Sequence, residues 1–181
     1  MREFNNSLWF MPLTVMAAPA FATDYLSVAQ AQKILFGDSS VFVERPLHLS
    51  KEQIRDIKRL SGTRQRQDTQ PVWRVQARDG EPVGWFMVDD VIGKHEYITY
   101  ALGIDNDGAI IGLEILSYRE AHGGEVREAS WRNNFKHKTL ADPFKLGDDV
   151  PNLSGATLSC RNLVEGAKRL LVIYNTMLRA K

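Results

Sequence analysis

Glu96-Tyr97-Ile98-Thr99-Tyr100-Ala101-Leu102-Gly103-Ile104 and Ala109-Ile110-Ile111-Gly112-Leu113-Glu114-Ile115-Leu116 are two apolar runs rich in β-branched and aromatic residues. Only Asp105-Asn106-Asp107-Gly108 separates them. Runs of that composition around a short polar turn ending in glycine read as two antiparallel strands of one hairpin. The turn resembles a calcium loop only in outline, because it lacks the bidentate glutamate of an EF-hand. Immediately upstream, Val72-Trp73-Arg74-Val75-Gln76-Ala77-Arg78 and Val83-Gly84-Trp85-Phe86-Met87-Val88 flank Asp79-Gly80, a pair suited to a tight hairpin turn. The two hairpins imply an antiparallel sheet of about four strands.

Helical patterns bracket this sheet. On its N-terminal side, Val28 to Phe36 follows Ser27 as N-cap and stops at Gly37, and Val41-Phe42-Val43 reads as a brief strand. A second helix opens at Ser50-Lys51-Glu52-Gln53, with Ser50 and Gln53 spaced as a capping box, and ends near Leu60 before Gly62. On the C-terminal side, Cys160, Leu163, Val164, Ala167, Leu170, Leu171, Tyr174, Met177 and Leu178 follow the i, i+3, i+4, i+7 spacing of a long amphipathic helix. Trp131 and Phe135 have the spacing of one helix face, and Phe135 is expected in the core. The expected class is α+β: an antiparallel sheet of about four strands packed with N-terminal helices and a long C-terminal helix.

Residues 1–22 differ in character from the rest. Arg2, the apolar run Leu8 to Ala18 and the small-residue end Ala20-Phe21-Ala22 reproduce the three parts of a secretory signal peptide. The run is shorter than the roughly 20 residues that cross a bilayer. Cleavage after Ala22 is expected, giving an exported, periplasmic chain that starts at Thr23; a retained N-terminal membrane anchor is the alternative. The expected division is then signal peptide 1–22, N-terminal helical segment 23–70 and one functional domain 71–181. A formal net charge of +1 over 181 residues argues against a nucleic-acid partner. The single cysteine, Cys160, excludes an internal disulfide, falls on the apolar helix face and reads as a small buried hydrophobe. No Cys/His spacing suggests a metal centre, and no nucleophile elbow, P-loop or dinucleotide fingerprint is present. Redox chemistry in this chain requires an added cofactor.

The chemistry-bearing stretch is Ser154-Gly155-Ala156-Thr157-Leu158-Ser159-Cys160, a glycine-opened turn leading into the long helix. Free backbone N–H groups and the positive dipole end favour a phosphate there, and Gly155 permits close backbone approach. The Thr157 hydroxyl serves either as a phosphate ligand or ester oxygen, or as a plain helix cap. Upstream, Tyr118-Arg119-Glu120-Ala121-His122-Gly123-Gly124 leaves a strand for a glycine-rich turn of the kind that carries function.

Ser154 to Thr157 resembles the flavinylation motif of the FMN-binding domain family, which includes the G subunit of the Rnf complex and the C subunit of the sodium-translocating NADH:quinone reductase. The order of features from Glu96 to Leu178 extends the likeness. The resemblance implies FMN attached through a phosphoester to Thr157, with Ser154, Gly155, Ala156, Leu158 and Ser159 around the phosphate. It also implies that Arg119, Glu120, His122 and Gly123 border the flavin, with Arg119 or Lys94 as a cation near its pyrimidine ring. Maturation would need a flavin transferase, and electrons would come from a membrane-bound reductase or a cytochrome. Binding of FMN or another anionic ligand without a covalent bond is the alternative. One position departs from the family pattern: the aspartate three residues before the motif serine is Pro151 here, with Asp148, Asp149 and Asn152 nearby. Either Asp149 serves from a longer turn, or FMN is bound differently.

Overall fold

The computed structural model describes residues 23–120 and 122–179; the expected signal peptide, 1–22, lies outside them. In chain order the elements are β1 (Thr23–Asp24), α1 (Val28–Phe36), β2 (Val41–Glu44), β3 (Leu47–His48), α2 (Lys51–Ser61), β4 (Thr69–Gln70), β5 (Val72–Gln76), β6 (Pro82–Ile92), β7 (Tyr97–Asp105), β8 (Ile110–Tyr118), α3 (Ala129–Arg132) and α4 (Thr157–Ile173). Among the described residues the main sheet has six antiparallel strands in the order β1-β8-β7-β6-β5-β2, and β3 pairs with β4 apart from it. The four central strands are the two expected hairpins. The N-terminal segment is more than helical, since β1 and β2 form the two edges of the same sheet.

Local chemistry accounts for the helix ends. Ser27 and Gln30 bond reciprocally at the start of α1, and Ser50 and Gln53 do the same for α2, so each capping box satisfies two otherwise orphan N–H groups. Asp105 Oδ1 accepts the N–H groups of Asp107, Gly108 and Ala109 at 3.0, 2.9 and 2.8 Å, which forms the β7–β8 turn.

Helices cover both faces of the sheet. On one face α4 packs against β6 and β7, burying Leu163, Ala167, Leu170 and Leu171 completely with Ile98, Leu102 and Leu113. Complete burial of each large side chain stabilises the fold by about 1.5–3 kcal/mol. Gly166 permits this approach, because a Cβ there would lie 2.5 Å from the Tyr100 hydroxyl. On the other face α1 rests on two sheet glycines: Leu35 lies over Gly112 and Phe36 over Gly103. A charged pair enters the α4 side. Arg169, 2% exposed, pairs with the Asp89 carboxylate, which also accepts from the Tyr100 hydroxyl at 3.0 Å. Burial raises the pKa of Asp89, and the Arg169 guanidinium opposes that rise.

The pairing of β7 with β8 slips between Thr99 and Tyr100, where Thr99 faces Ser117 but Tyr100 faces Ile115. Leu116 is therefore an extra residue, a β-bulge that resets which side chains of the β8 end face each side. Beyond it, Tyr118 joins the α4 core, whereas Leu116 packs on the α1 side.

Candidate functional site

The β8 exit, the loop between β6 and β7 and the N-terminus of α4 meet at one end of the sheet. An antiparallel meander brings the first two together, because the β6–β7 loop and the C-terminal end of β8 lie at the same edge. Glu120 joins them: its Oε1 accepts the backbone N–H groups of His95 at 2.6 Å and Glu96 at 3.0 Å. Partial burial pushes the Glu120 carboxyl up, but hydrogen bonds from the Glu96, His95 and Lys94 backbone outweigh it and hold the pKa below the usual value. Gly93 leaves room for this contact, since a Cβ there would collide with the Glu120 carboxylate oxygen.

The glycine-rich turn after β8 supports the helix. Tyr118 donates its hydroxyl to the His122 carbonyl at 2.5 Å and lies 3.5 Å from the buried Ser159 hydroxyl. Gly123, with φ of +80°, backs directly onto Ala156; a Cβ at Gly123 would come within 2.7 Å of the Ala156 Cβ. Only glycine fits both the backbone angle and the space.

The segment ahead of α4 is pinned from behind. Leu153 to Ala156 is a β-turn closed by Ala156 N–H donating to the Leu153 carbonyl at 3.1 Å, with Gly155 at φ +81° in the third position, the signature of a type II turn. Trp131 Nε1 donates to the Pro151 carbonyl at 2.8 Å. Trp131 and Phe135 do not share one continuous helix: α3 passes into a 3-10 turn, Asn133–Phe135. Both rings are nonetheless buried and meet edge to face at 5.2 Å, with Phe135 in the core as its spacing implies. Asp149 is committed elsewhere. Its carboxylate accepts from Lys138 Nζ at 2.9 Å and from the N–H groups of Phe144 and Lys145 at 3.1 and 2.6 Å. Burial raises its pKa, and these donors more than reverse that.

Helix α4 starts at Thr157 with Ala156 as its N-cap residue, and no side chain caps it. The capping role open to Thr157 in the sequence is therefore not used. Cys160 N–H makes the first α-helical bond, to the Ala156 carbonyl at 2.9 Å. Among the described residues nothing accepts from the N–H groups of Thr157, Leu158 or Ser159. Thr157 Oγ1 instead accepts a 3.2 Å hydrogen bond from the Asn152 side-chain amide.

This uncapped end borders a cleft of about 480 Å³, lined by Gly155, Ala156, Thr157, Leu158 and Ser159 from the turn and helix and by Lys94, His95, Glu120 and His122 from the two loops. The volume lies within the range of small-molecule sites. Leu158, 43% exposed, offers it an apolar surface. Of the residues singled out in the sequence, this cleft gathers Gly155, Ala156, Thr157, Leu158, Ser159, Glu120 and His122. Ser154 stays exposed in the turn, and Gly123 lies beneath the cleft as packing. Arg119 is not brought there. Strand alternation past the bulge sends it to the α1 side, into a separate cleft with Tyr25, Val28 and Leu116. Lys94 is the cation that the cleft contains. Sequence reasoning picks out Lys94 in this loop but not the contact of Glu120 with the His95 and Glu96 N–H groups, although Gly93 at a strand end is its signal.

The sequence model of one class, the FMN-binding domain, matches residues 93–172, from the Glu120 contact at Gly93 into the last turn of α4. The cofactor of that class is FMN. The G subunit of the ion-translocating oxidoreductase complex of Aliivibrio fischeri is 28% identical over 90 residues, covering 44% of this chain and 43% of the relative. The matched part thus spans less than half the length of that relative. NqrC of Shewanella oneidensis superposes with a TM-score of 0.54 at 16% identity, covering 77% of this chain and 81% of that one. The C subunit of the Na(+)-translocating NADH-quinone reductase of Parabacteroides distasonis gives 0.52 at 15% identity, with 86% and 87% covered. At these identities the structural likeness is one of fold.

Proposed function

We propose that this chain is an exported electron-transfer flavoprotein that carries FMN as a phosphoester on Thr157. The observation that carries the reading is the uncapped N-terminus of α4: a threonine hydroxyl and three backbone N–H groups without a partner among the described residues border one cleft. Backbone N–H groups at a helix start stabilise phosphate oxygens through hydrogen bonds and the helix dipole. Thr157 supplies the ester oxygen, and Leu158, Ser159 and the Gly155 backbone form the phosphate cradle. Lys94, His95 and His122 provide positive or hydrogen-bonding groups on the opposite wall, where Glu120 fixes the loop that carries two of them. Bound FMN supplies the redox chemistry, and the protein sets its position and its electrostatic surroundings. The chain's own part in turnover is to hold the cofactor and keep one wall of the site polar.

Two further parts of the proposal concern partners. A flavin transferase installs the FMN, and a membrane-bound reductase or cytochrome exchanges electrons with it. Support comes from the relatives' names, which place them in an ion-translocating oxidoreductase complex and an NADH-quinone reductase. Export rests on the signal-like pattern of residues 1–22.

Precipitation in acid separates covalent from dissociable flavin. Wild-type protein made with a flavin transferase is expected to keep its yellow colour in the pellet, and Thr157→Ala to lose it. Flavin released to the supernatant from the wild type would instead indicate a non-covalent FMN site.

A further inference from the structure

Resting on the reading that Thr157 takes the flavin phosphate, the geometry points to Asn152 as the residue that positions the Thr157 hydroxyl for esterification and stabilises the charge it develops. The Asn152 amide donates from Nδ2 to Thr157 Oγ1 at 3.2 Å, across the turn that Gly155 makes possible. The backbone that carries Asn152 is fixed on both sides. Trp131 holds the Pro151 carbonyl, and the Leu153–Ala156 turn follows.

The neighbouring carboxylates are engaged elsewhere. Asp149 is folded back onto Lys138 and the backbone of Phe144 and Lys145, and Asp148 faces solvent with Lys145 Nζ 3.7 Å away. Pro151 offers only its carbonyl, which Trp131 occupies. Among the described residues, the contact to the Thr157 hydroxyl is therefore an amide donor and not a carboxylate acceptor.

An amide donor suits the reaction. With a flavin dinucleotide as co-substrate, Oγ1 forms a bond to the phosphorus of the FMN half. The pyrophosphate P–O bond breaks, AMP leaves with that oxygen, and the hydroxyl proton passes to a base on the transferase. Negative charge grows on Oγ1 as the proton departs. A hydrogen-bond donor already aimed at that oxygen stabilises the charge without reorganisation. Asn152 is neutral, so it adds no repulsion against the incoming phosphates.

The test uses the full chain with FAD and a purified flavin transferase, following the rate at which flavin becomes resistant to denaturation. Asn152→Ala is expected to slow attachment about tenfold or more, the scale of losing one donor to a developing anion. Asn152→Asp keeps the shape, replaces the donor with an acceptor and is expected to be at least as slow. Asn152 is exposed, so Asn152→Ala should match the wild type in melting temperature and in non-covalent FMN affinity, whereas Asn152→Asp should match it in melting temperature and bind FMN more weakly through its added charge. A slowed rate for Asn152→Ala with those two readouts unchanged marks positioning as distinct from folding. If Asn152→Ala melts early, the near-isosteric Asn152→Asp carries the comparison on melting temperature, with attachment rates taken at saturating FAD so that its added charge is not read as lost affinity. Attachment to both variants within twofold of the wild-type rate overturns the role of Asn152 and leaves Thr157 as the attachment point. Failure of the wild type to acquire any resistant flavin overturns the Thr157 reading, and this proposal with it.

Discussion

Thr157 occupies the first helical position of α4 without capping it, and the phosphate reading rests on that placement. The glycines around it are needed for different reasons, which a pair of substitutions distinguishes. At Gly155 an added Cβ meets nothing within 4 Å, so Gly155→Ala costs only backbone strain at φ +81°, about 1 kcal/mol. At Gly123 the same strain is joined by a 2.7 Å approach to Ala156, so Gly123→Ala should cost clearly more, about 2–4 kcal/mol in all. Thermal unfolding of the two variants checks the order. Glu120 gives a pH test. Its folded-state pKa is depressed, so its stabilising contribution is present above the unfolded value of about 4.3 and is lost as pH falls through the lower folded value. Glu120→Gln should therefore be less stable than wild type at pH 7, with the gap narrowing toward pH 3. Denaturant titrations at both pH values measure it, and a constant gap would contradict the assignment.

At the scale of elements, the site depends on Trp131 reaching across from α3 to the segment ahead of α4. Trp131→Phe keeps the edge-to-face packing on Phe135 but loses the bond to Pro151, a cost of about 1 kcal/mol, or roughly 2–4 °C in melting temperature. Flavin attachment should slow as well, because the same backbone carries Asn152; calorimetry and the attachment assay report the two effects separately. Elements with complete local signals were legible in the sequence. Ser27 with Gln30 and Ser50 with Gln53 mark the starts of α1 and α2, and Asp79-Gly80 and Asp105 to Gly108 mark the hairpin turns. Strand β6 runs beyond its apparent end at Val88, since Asp89 and Asp90 look like a boundary until Arg169 and Thr99 pair with them. The two-residue strand β1 has no pattern to read. Within the site, the helix start and the glycine turn were visible. The direction of Arg119 was not, because a single bulged residue, Leu116, reverses the alternation that assigns it.

For the molecule as a whole, α4 is both the main core helix and the proposed phosphate-bearing element, so its seating on the sheet governs the site. The buried Arg169–Asp89 pair lies on that interface, with Tyr100 and the Arg64 carbonyl completing it. Asp89→Ala leaves a guanidinium buried without its counter-charge and is expected to destabilise the fold by about 3–5 kcal/mol, measured by denaturant unfolding. The central claim, that this sheet and helix hold FMN on one hydroxyl, is tested most directly by peptide mass spectrometry. The chain is made with and without a flavin transferase, digested, and the peptide spanning Thr157 is weighed. The expected result is an increment of one FMN less one water, localised to Thr157 and present only with the transferase. An unmodified Thr157 peptide in both preparations, or an increment on another residue, would contradict the account.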